Sequence, residues 1–421
     1  MTKYQSELMT TLVERGFLYQ CTDEDGLDKA AATETVTGYI GFDCTAPSLH
    51  VGSLVQIMML RHLQRAGGRP IVLLGGGTTK IGDPSMKDKT RPILTDELIE
   101  KNKHGIKQVF SKFINFEGPN AAILADNADW LDGLGYIEFL RDVGPLFTVN
   151  RMITMETVKR RLENELPMTF LEFNYPLLQS YDFVELNRRY GCTLQLGGSD
   201  QWGNITTGVD LSRRMENADC FGFTTPLITT ASGGKMGKTA DGAVWLNADP
   251  AFGDNYFKSP YDYWQFWRNT DDADVGKFMK LFTDLSLDDI AKYEALEGAD
   301  INKAKILLAN EATAMLHGET AAKQAEATAL ETFEKGGSAD GLPSIDINAA
   351  ELNGLGILAA TVILGLASSN GEARRHIKGG ALKINDTKVD SHERKIRSSD
   401  IIDGTVKISV GKKKHALLKA V

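Results

Sequence analysis

The sequence predicts an α/β fold: a parallel-sheet domain first, then a helix-rich stretch, then a small basic module. Three observations carry this. A strand–helix–strand pattern occupies residues 36–74, and residues 260–335 are charged, Ala-rich and helical in periodicity. The charge is also unevenly divided. Residues 371–421 hold thirteen Lys and Arg against six Asp and Glu, a net +7, while the rest of the chain carries −16. An acidic body with a basic tail suggests that one module meets a polyanion.

The chain has 421 residues, 42% hydrophobic and 24% charged, which suits a globular protein of two to four domains. Its longest apolar run, near 355–366, is broken by Gly356 and Gly365 and is too short to span a bilayer. The start, Met-Thr-Lys-Tyr-Gln-Ser-Glu, lacks the basic-then-apolar layout of a signal peptide. Cys21, Cys44, Cys192 and Cys220 form no Cys-x-x-Cys pair, so neither a zinc ribbon nor a redox pair is indicated. These features lead to the expectation of a cytoplasmic protein with free thiols and no membrane partner.

Val36–Phe42 reads as a strand, and a helix follows from about Ser48, with Val51, Leu54, Val55, Met58 and Met59 at helical spacing. Arg69–Leu74 reads as the next strand and ends at Gly75-Gly76-Gly77. A strand, helix and strand in this order imply a βαβ unit and a parallel sheet, whose ligands bind at the carboxyl ends of its strands. From about Asp96 to Arg189 the chain reads as mostly helical, with a strand expected at Ala121–Leu124, and Thr193–Leu196 reads as another short strand. The run Gly336-Gly-Ser-Ala-Asp-Gly-Leu-Pro-Ser reads as a linker.

Five stretches carry chemistry. In Gly41-Phe42-Asp43-Cys44-Thr45-Ala46-Pro47-Ser48-Leu49-His50-Val51-Gly52-Ser53 a strand hands over to a helix whose unpaired N–H groups favour phosphate. Thr45 and His50 would donate to phosphate oxygens there, and Gly52 would let an adenine or ribose approach the backbone. Lys235-Met-Gly-Lys238-Thr239, behind Gly233-Gly234, places two lysines where a leaving pyrophosphate can be neutralised. It is not a Walker A loop. Tyr175, Gln179 and Asp182 share one helix face, with Pro176 in the first turn and Asn174 as a plausible cap. Asp200 and Gln201, in Gly197-Gly-Ser-Asp-Gln-Trp-Gly-Asn204, offer groups to ribose hydroxyls and to a carbonyl or carboxylate. Asp83, in Ile81-Gly-Asp-Pro-Ser85, offers a partner to an ammonium. Taken singly, each has an ordinary alternative as a basic loop, a polar helix face or an Asx-rich turn.

In this order the five stretches resemble a class I aminoacyl-tRNA synthetase of the bacterial tyrosyl type. His50-Val-Gly-Ser53 is similar to the HIGH motif and Lys235–Thr239 to the KMSKS motif. The resemblance runs the length of the chain. It implies a Rossmann-like parallel-sheet catalytic domain over residues 1–247, with a helical dimerisation insertion at about 117–168. An α-helical domain that binds the tRNA anticodon stem would cover 248–335, with a linker at 336–350. A small α+β RNA-binding domain, shared with a ribosomal protein, would cover 351–421.

The same resemblance implies the residue roles. Tyr39 and Asp182 would hydrogen-bond the substrate phenol. Asp83, Tyr175 and Gln179 would hold the α-ammonium, with Gln201 near the carboxylate. The ATP site would comprise Gly41, Asp43, His50, Gly52, Ser53, Asp200 and Lys238. Thr45, His50, Lys235, Lys238 and Thr239 would act in the transition state, and Lys87 and Arg91 fall where the family has mobile basic residues. Arg374, Arg375, Lys378 and Lys383 would face tRNA phosphates, with Lys412–Lys414 adding charge. The implied partners are L-tyrosine, ATP with its Mg²⁺, tRNA(Tyr) and a second copy of the chain. No protein metal site is expected. Leu131, Leu134, Phe139, Leu140 and Phe147 would supply apolar material for the dimer face, and an intrachain core would use the same residues. One departure is Ser53, which stands where the motif has its second histidine and is shorter. A tryptophanyl-tRNA synthetase and a non-catalytic RNA-binding paralogue are the alternatives.

Overall fold

The computed structural model of the chain describes residues 3–83, 94–231, 233, 236, 238–239, 242–248, 256–334, 342–411 and 414–421. It divides into two compact units, Met1–Lys258 with Asp271–Leu296, and Ser259–Thr270 with Glu297–Val421.

The first unit is built on a six-stranded sheet: β1 (Gln20–Cys21), β2 (Thr37–Phe42), β3 (Arg69–Leu74), β4 (Ile123–Asp126), β5 (Leu194–Gly198) and β6 (Phe221–Thr225), in the order β1-β6-β5-β2-β3-β4. All neighbours are parallel except β1 on β6. Nearly every residue of β2, β3 and β5 is buried, as expected of strands covered on both faces. The chain runs from β2 through β3 to β4 on one side, then from β5 to β6 on the other. The direction therefore reverses between β2 and β5, and such a switch point opens a crevice at the strands' carboxyl ends. The fourth strand lies two residues later than expected, which brings Asp126 and Asn127 to that same edge.

Helix Val51–Arg65 follows β2 and is capped by His50, whose ring accepts the Gly52 N–H. Helix Phe170–Tyr190 starts earlier than the sequence suggests. Its cap is Thr169 in a capping box with Glu172, so Asn174 is no cap and Pro176 lies inside the helix. Proline's missing N–H forfeits one ladder bond. The capping box and a buried Arg161–Glu172 pair at 3.0 Å anchor the helix start upstream of it. The helix ends at Gly191, in the left-handed conformation with φ +63.

The segment Asp271–Leu296, expected in the helical domain, belongs to the first unit. Arg15 donates to the carbonyls of Lys280, Thr283 and Leu285, which lie at and just beyond the end of helix Val275–Phe282. Asp284 is paired with Arg61 and Arg65 on helix 51–65. Local periodicity gives a helix here but not its partner.

The second unit contains helices Pro260–Arg268, Ile301–His317 and Glu319–Glu334, which pack on one another. It also contains a five-stranded sheet, built from β9 (Ser344–Ile347), β10 (Leu382–Ile384), β11 (Thr387–Lys388), β12 (Thr405–Val410) and β13 (Lys414–Ala420), in the order β11-β10-β12-β13-β9. Helices Ile357–Ile363 and Asn370–Lys378 complete this module, and Leu352, Ile357, Ile384, Ile408 and Leu418 lie in its core. The stretch read as a linker thus contributes β9, which pairs in parallel with β13. A four-residue, mostly exposed edge strand leaves little pattern in sequence. Between β6 and β9 lies a two-stranded hairpin of the first unit, β7 (Lys238–Thr239) and β8 (Gly242–Ala243).

Candidate active site

A cavity of about 300 Å³ opens at the carboxyl ends of β2 and β5. It is lined by Tyr39, Gly41, Asp43, Thr45, His50, Ser53, Asp83, Tyr175, Gln179, Asp182, Asp200 and Gln201, which were singled out from the sequence, and also by Gln56, Thr78, Asn127, Gln195 and Trp245, which were not.

Its floor is a buried phenol and a buried carboxylate. Tyr39 is 1% exposed and Asp182 2%. The Tyr39 hydroxyl has no hydrogen-bond partner among the described residues. Burial, then the charge of Asp182, pushes its pKa far above that of a free phenol, so it stays a neutral donor. Asp182 accepts from Asn127 Nδ2 at 3.0 Å and from Trp130 Nε1 at 2.8 Å. Burial raises its carboxyl to about 7 against the opposing pull of these two bonds, with Asp43 and Asp126 adding to the rise. Asn127 is itself fixed, because its Oδ1 accepts the Gly77 N–H at 2.8 Å and its Nδ2 also reaches Thr78 Oγ1 at 3.0 Å. Thr78 in turn donates to Asp43 at 3.1 Å. A continuous polar chain therefore joins Asp182 to Asp43 across the ends of β2, β3 and β4.

Above this floor lies an amide–carboxylate cluster. Gln201 Nε2 donates to Asp83 at 3.3 Å and to Asp200 at 3.4 Å, while its Oε1 accepts from Asn204 at 3.0 Å and from Gln179 at 3.4 Å. The Oε1 atoms of Gln179 and Gln195 are buried without partners among the described residues. Buried polar groups are ordinarily paired, so Tyr39, Gln179 and Gln195 together mark a surface shaped for a polar ligand.

At the rim, His50 Nδ1 accepts the Gly52 N–H at 2.9 Å. That bond assigns the ring proton to Nε2, making it a donor. Gly52 does not line the cavity. A Cβ there would meet His50 at 2.6 Å and the Met236 carbonyl at 2.9 Å. Glycine at 52 thus leaves room for the close approach of the second signature. At Gly41 a Cβ would touch only a Leu73 methyl, at 3.9 Å, so nothing in the described chain demands glycine there.

The first signature is tied to the chain just after the second. Val51 N–H donates to Val244 at 2.9 Å, Leu246 N–H to Leu49 at 2.8 Å, and His50 bridges Trp245. The backbone of Lys238 and Thr239 forms β7, while Lys235, Lys87 and Arg91 lie outside the described residues. No Lys or Arg lines the cavity among the described residues, whereas Asp43, Asp83, Asp182 and Asp200 do. Such a site favours an ammonium and needs added cations for a polyphosphate. Among the described residues no group of three or more His, Cys, Asp or Glu is placed to hold a metal, and no helix is long and apolar enough to cross a membrane.

In the second unit, Arg374, Arg375 and Lys378 are exposed on helix 370–378, and Lys383 is half-buried on β10. Lys412 and Lys413 lie outside the described residues.

Sequence reasoning missed Asn127, Trp130 and Gln195. Asn127 and Trp130 act through Asp182, 55 and 52 residues away, so no local motif marks them. Gln195 stands in a strand and carries only the faint signal of a polar residue among buried ones.

Residues 31–334 match the family model for tRNA synthetases class I (W and Y), and residues 334–418 match that for the tyrosine–tRNA ligase SYY-like C-terminal domain. The chain is 58% identical to a tyrosine–tRNA ligase of Methylocella silvestris, over 99% of this chain and 98% of the relative. A C-terminally truncated mitochondrial tyrosyl-tRNA synthetase of Aspergillus nidulans superposes with a TM-score of 0.68 at 29% identity, covering 78% of this chain and 94% of that one. A tryptophanyl-tRNA synthetase of Plasmodium falciparum gives 0.54 at 14% identity, over 75% and 84%, a likeness of fold alone.

Proposed function

This chain belongs to the class I tRNA synthetases, and we propose that the cavity between β2 and β5 is where it joins tyrosine to ATP and then to tRNA. The chain is an aminoacyl-tRNA-forming ligase for tyrosine. The observation that carries the site assignment is the unpartnered Tyr39 hydroxyl beside the Asp182 carboxylate at the cavity floor.

The tyrosine phenol donates to Asp182 and accepts from Tyr39. Phenylalanine would leave the Tyr39 hydroxyl buried and unpaired and offer no donor to Asp182, a penalty larger than any gain from its ring. Asp83, Tyr175 and Gln179 receive the ammonium, and Gln201 lies near the carboxylate. That carboxylate is already ionised, so its attack on the α-phosphate needs no general base. The new C–O–P bond forms as the bond to pyrophosphate breaks, in line. His50 donates from Nε2 and Thr45 from its hydroxyl to the outer phosphates. Lys235, Lys238 and Thr239 neutralise the leaving pyrophosphate, and Asp200 receives ribose hydroxyls. Catalysis in this reading is positioning plus charge stabilisation. Mg²⁺ arrives on the ATP phosphates. The 3′-terminal ribose of tRNA(Tyr) then displaces AMP, while Arg374, Arg375, Lys378 and Lys383 contact RNA phosphates.

A homodimer is part of the same proposal. Tyr136, Ile137, Leu140, Val149 and Ile153 are 41–71% exposed on the insertion, an apolar surface suited to a second copy. Of the five residues read for that face or for an intrachain core, Leu131, Leu134, Phe139 and Phe147 pack against the chain's own core, and Leu140 is exposed. The working location is the cytoplasm, where tRNA and ATP meet.

Tyrosine-dependent ATP–pyrophosphate exchange tests this reading. Exchange is expected with tyrosine and not with tryptophan or phenylalanine. Exchange with tryptophan alone would reject it.

A further inference from the structure

The segment that follows helix 260–268 touches the chain just before the lysine hairpin and the far end of the helix that begins at His50. At one end, Asp274 is 5% exposed and its Oδ2 accepts the Ala231 N–H at 2.7 Å. Asp274 is the N-cap residue of helix Val275–Phe282, yet its side chain makes no capping bond to that helix. Its carboxylate is turned outward, to the chain just before the lysine hairpin. Lys277, in the first turn of the same helix, reaches the Thr229 carbonyl at 3.4 Å. At the other end, Asp284 is clamped by Arg61 and Arg65, on the helix that begins at His50. Only one eight-residue helix, about 12 Å long, separates the two anchors.

Gly233 N–H donates back to Thr230 at 2.8 Å, with φ at +84, and Met236 N–H returns to Ile228 at 3.0 Å. The chain then enters β7, where Lys238 pairs with Ala243. From Ala243 it passes directly to Val244, which accepts the Val51 N–H. The hairpin is thus tied at its exit to the His50 helix and at its entrance to Asp274.

We propose that Asp274 is a positioning residue for adenylate formation. It fixes the backbone at Ala231 through that residue's N–H, and so sets the backbone of Lys238 at a defined distance from His50. The proposal rests on the adenylate-forming reading of the cavity. Asp274 touches no substrate. Its effect falls on the step in which pyrophosphate charge builds up, where sub-ångström placement of cations matters most.

The test uses the full-length chain and its Asp274→Ala and Asp274→Asn variants. The unsubstituted chain is measured first, so that absent tyrosine-dependent adenylate formation is charged to the functional reading. Single-turnover adenylate formation and pyrophosphorolysis should both fall about ten- to hundred-fold in Asp274→Ala, the span of a lost charge-assisted hydrogen bond. Equilibrium tyrosine affinity should stay within about twofold, since neither Asp274 nor Ala231 lines the cavity. Asp274→Asn keeps an acceptor oxygen and should lose about threefold. An unchanged rate in Asp274→Ala would overturn the proposal, as would parallel loss of tyrosine binding and rate. If Asp274→Ala fails to fold, an unchanged rate in Asp274→Asn overturns it equally.

Discussion

Replacing Asp182 with asparagine probes the floor of the cavity most directly. The carboxylate accepts two hydrogen bonds, from Asn127 Nδ2 and Trp130 Nε1. An asparagine has one acceptor oxygen, so its amide nitrogen must face one of these donors or the incoming phenol. Trp130 cannot reverse its N–H, and flipping Asn127 would sacrifice its 2.8 Å bond from Gly77. At least one buried donor is left unsatisfied, at about 1–3 kcal/mol. The kcat/KM for tyrosine in pyrophosphate exchange should therefore fall about five- to hundred-fold. The loss should appear in KM for tyrosine and leave KM for ATP within about twofold.

The pH dependence follows from the same carboxyl. Burial raises it to about 7 in the ligand-free protein, so below that pH it holds a proton and presents a hydroxyl where the phenol needs an acceptor. For the unsubstituted chain, kcat/KM for tyrosine should rise as pH climbs toward 7 and level off above it. Stability runs the other way. The folded pKa exceeds the unfolded one, so the stabilisation is complete below about pH 4 and is lost as pH rises through about 7. Asp182→Asn should flatten both trends. Wild-type selectivity for tyrosine over phenylalanine in the variant, or no limb near pH 7 in the parent, would refute the reasoning.

Other outcomes follow from particular contacts. Gly52→Ala places a Cβ 2.9 Å from the Met236 carbonyl, so the hairpin must shift; adenylate formation should slow by at least about tenfold at constant tyrosine affinity, read by single-turnover kinetics. Arg15→Ala strips three carbonyls of their shared donor and should lower unfolding free energy by about 3 kcal/mol in denaturant titrations. Ile137→Asp puts a charge on an exposed apolar surface, where Ile137 is 71% exposed. Analytical ultracentrifugation should show the variant as monomer at concentrations where the parent is a dimer.

Much of the chemistry was legible because it lies in short stretches. The run Gly41–Ser53 combines the end of β2 with a helix start, and both strand-to-helix transitions and capping leave local marks. Tyr175, Gln179 and Asp182 were placed on one face by helical spacing alone, and all three line the cavity. The misassigned cap at Asn174 came from reading Pro176 as a helix start. The capping box at Thr169 and the buried Arg161–Glu172 pair favour the earlier start, and that pair depends on a contact eleven residues apart.

The sequence by itself determined the α/β class, many of the polar side chains that line the cavity and the basic character of the tail. These depend on residue type and on periods of two and 3.6, which survive without knowledge of distant partners. Only the tertiary structure decided that Asn127 and Trp130 orient Asp182, that Gly52 makes room for Met236, and that Asp271–Leu296 returns to the first unit. Each is a contact between residues far apart in the chain. Such contacts are chosen by packing and by the need to pair buried polar groups, which no local pattern encodes.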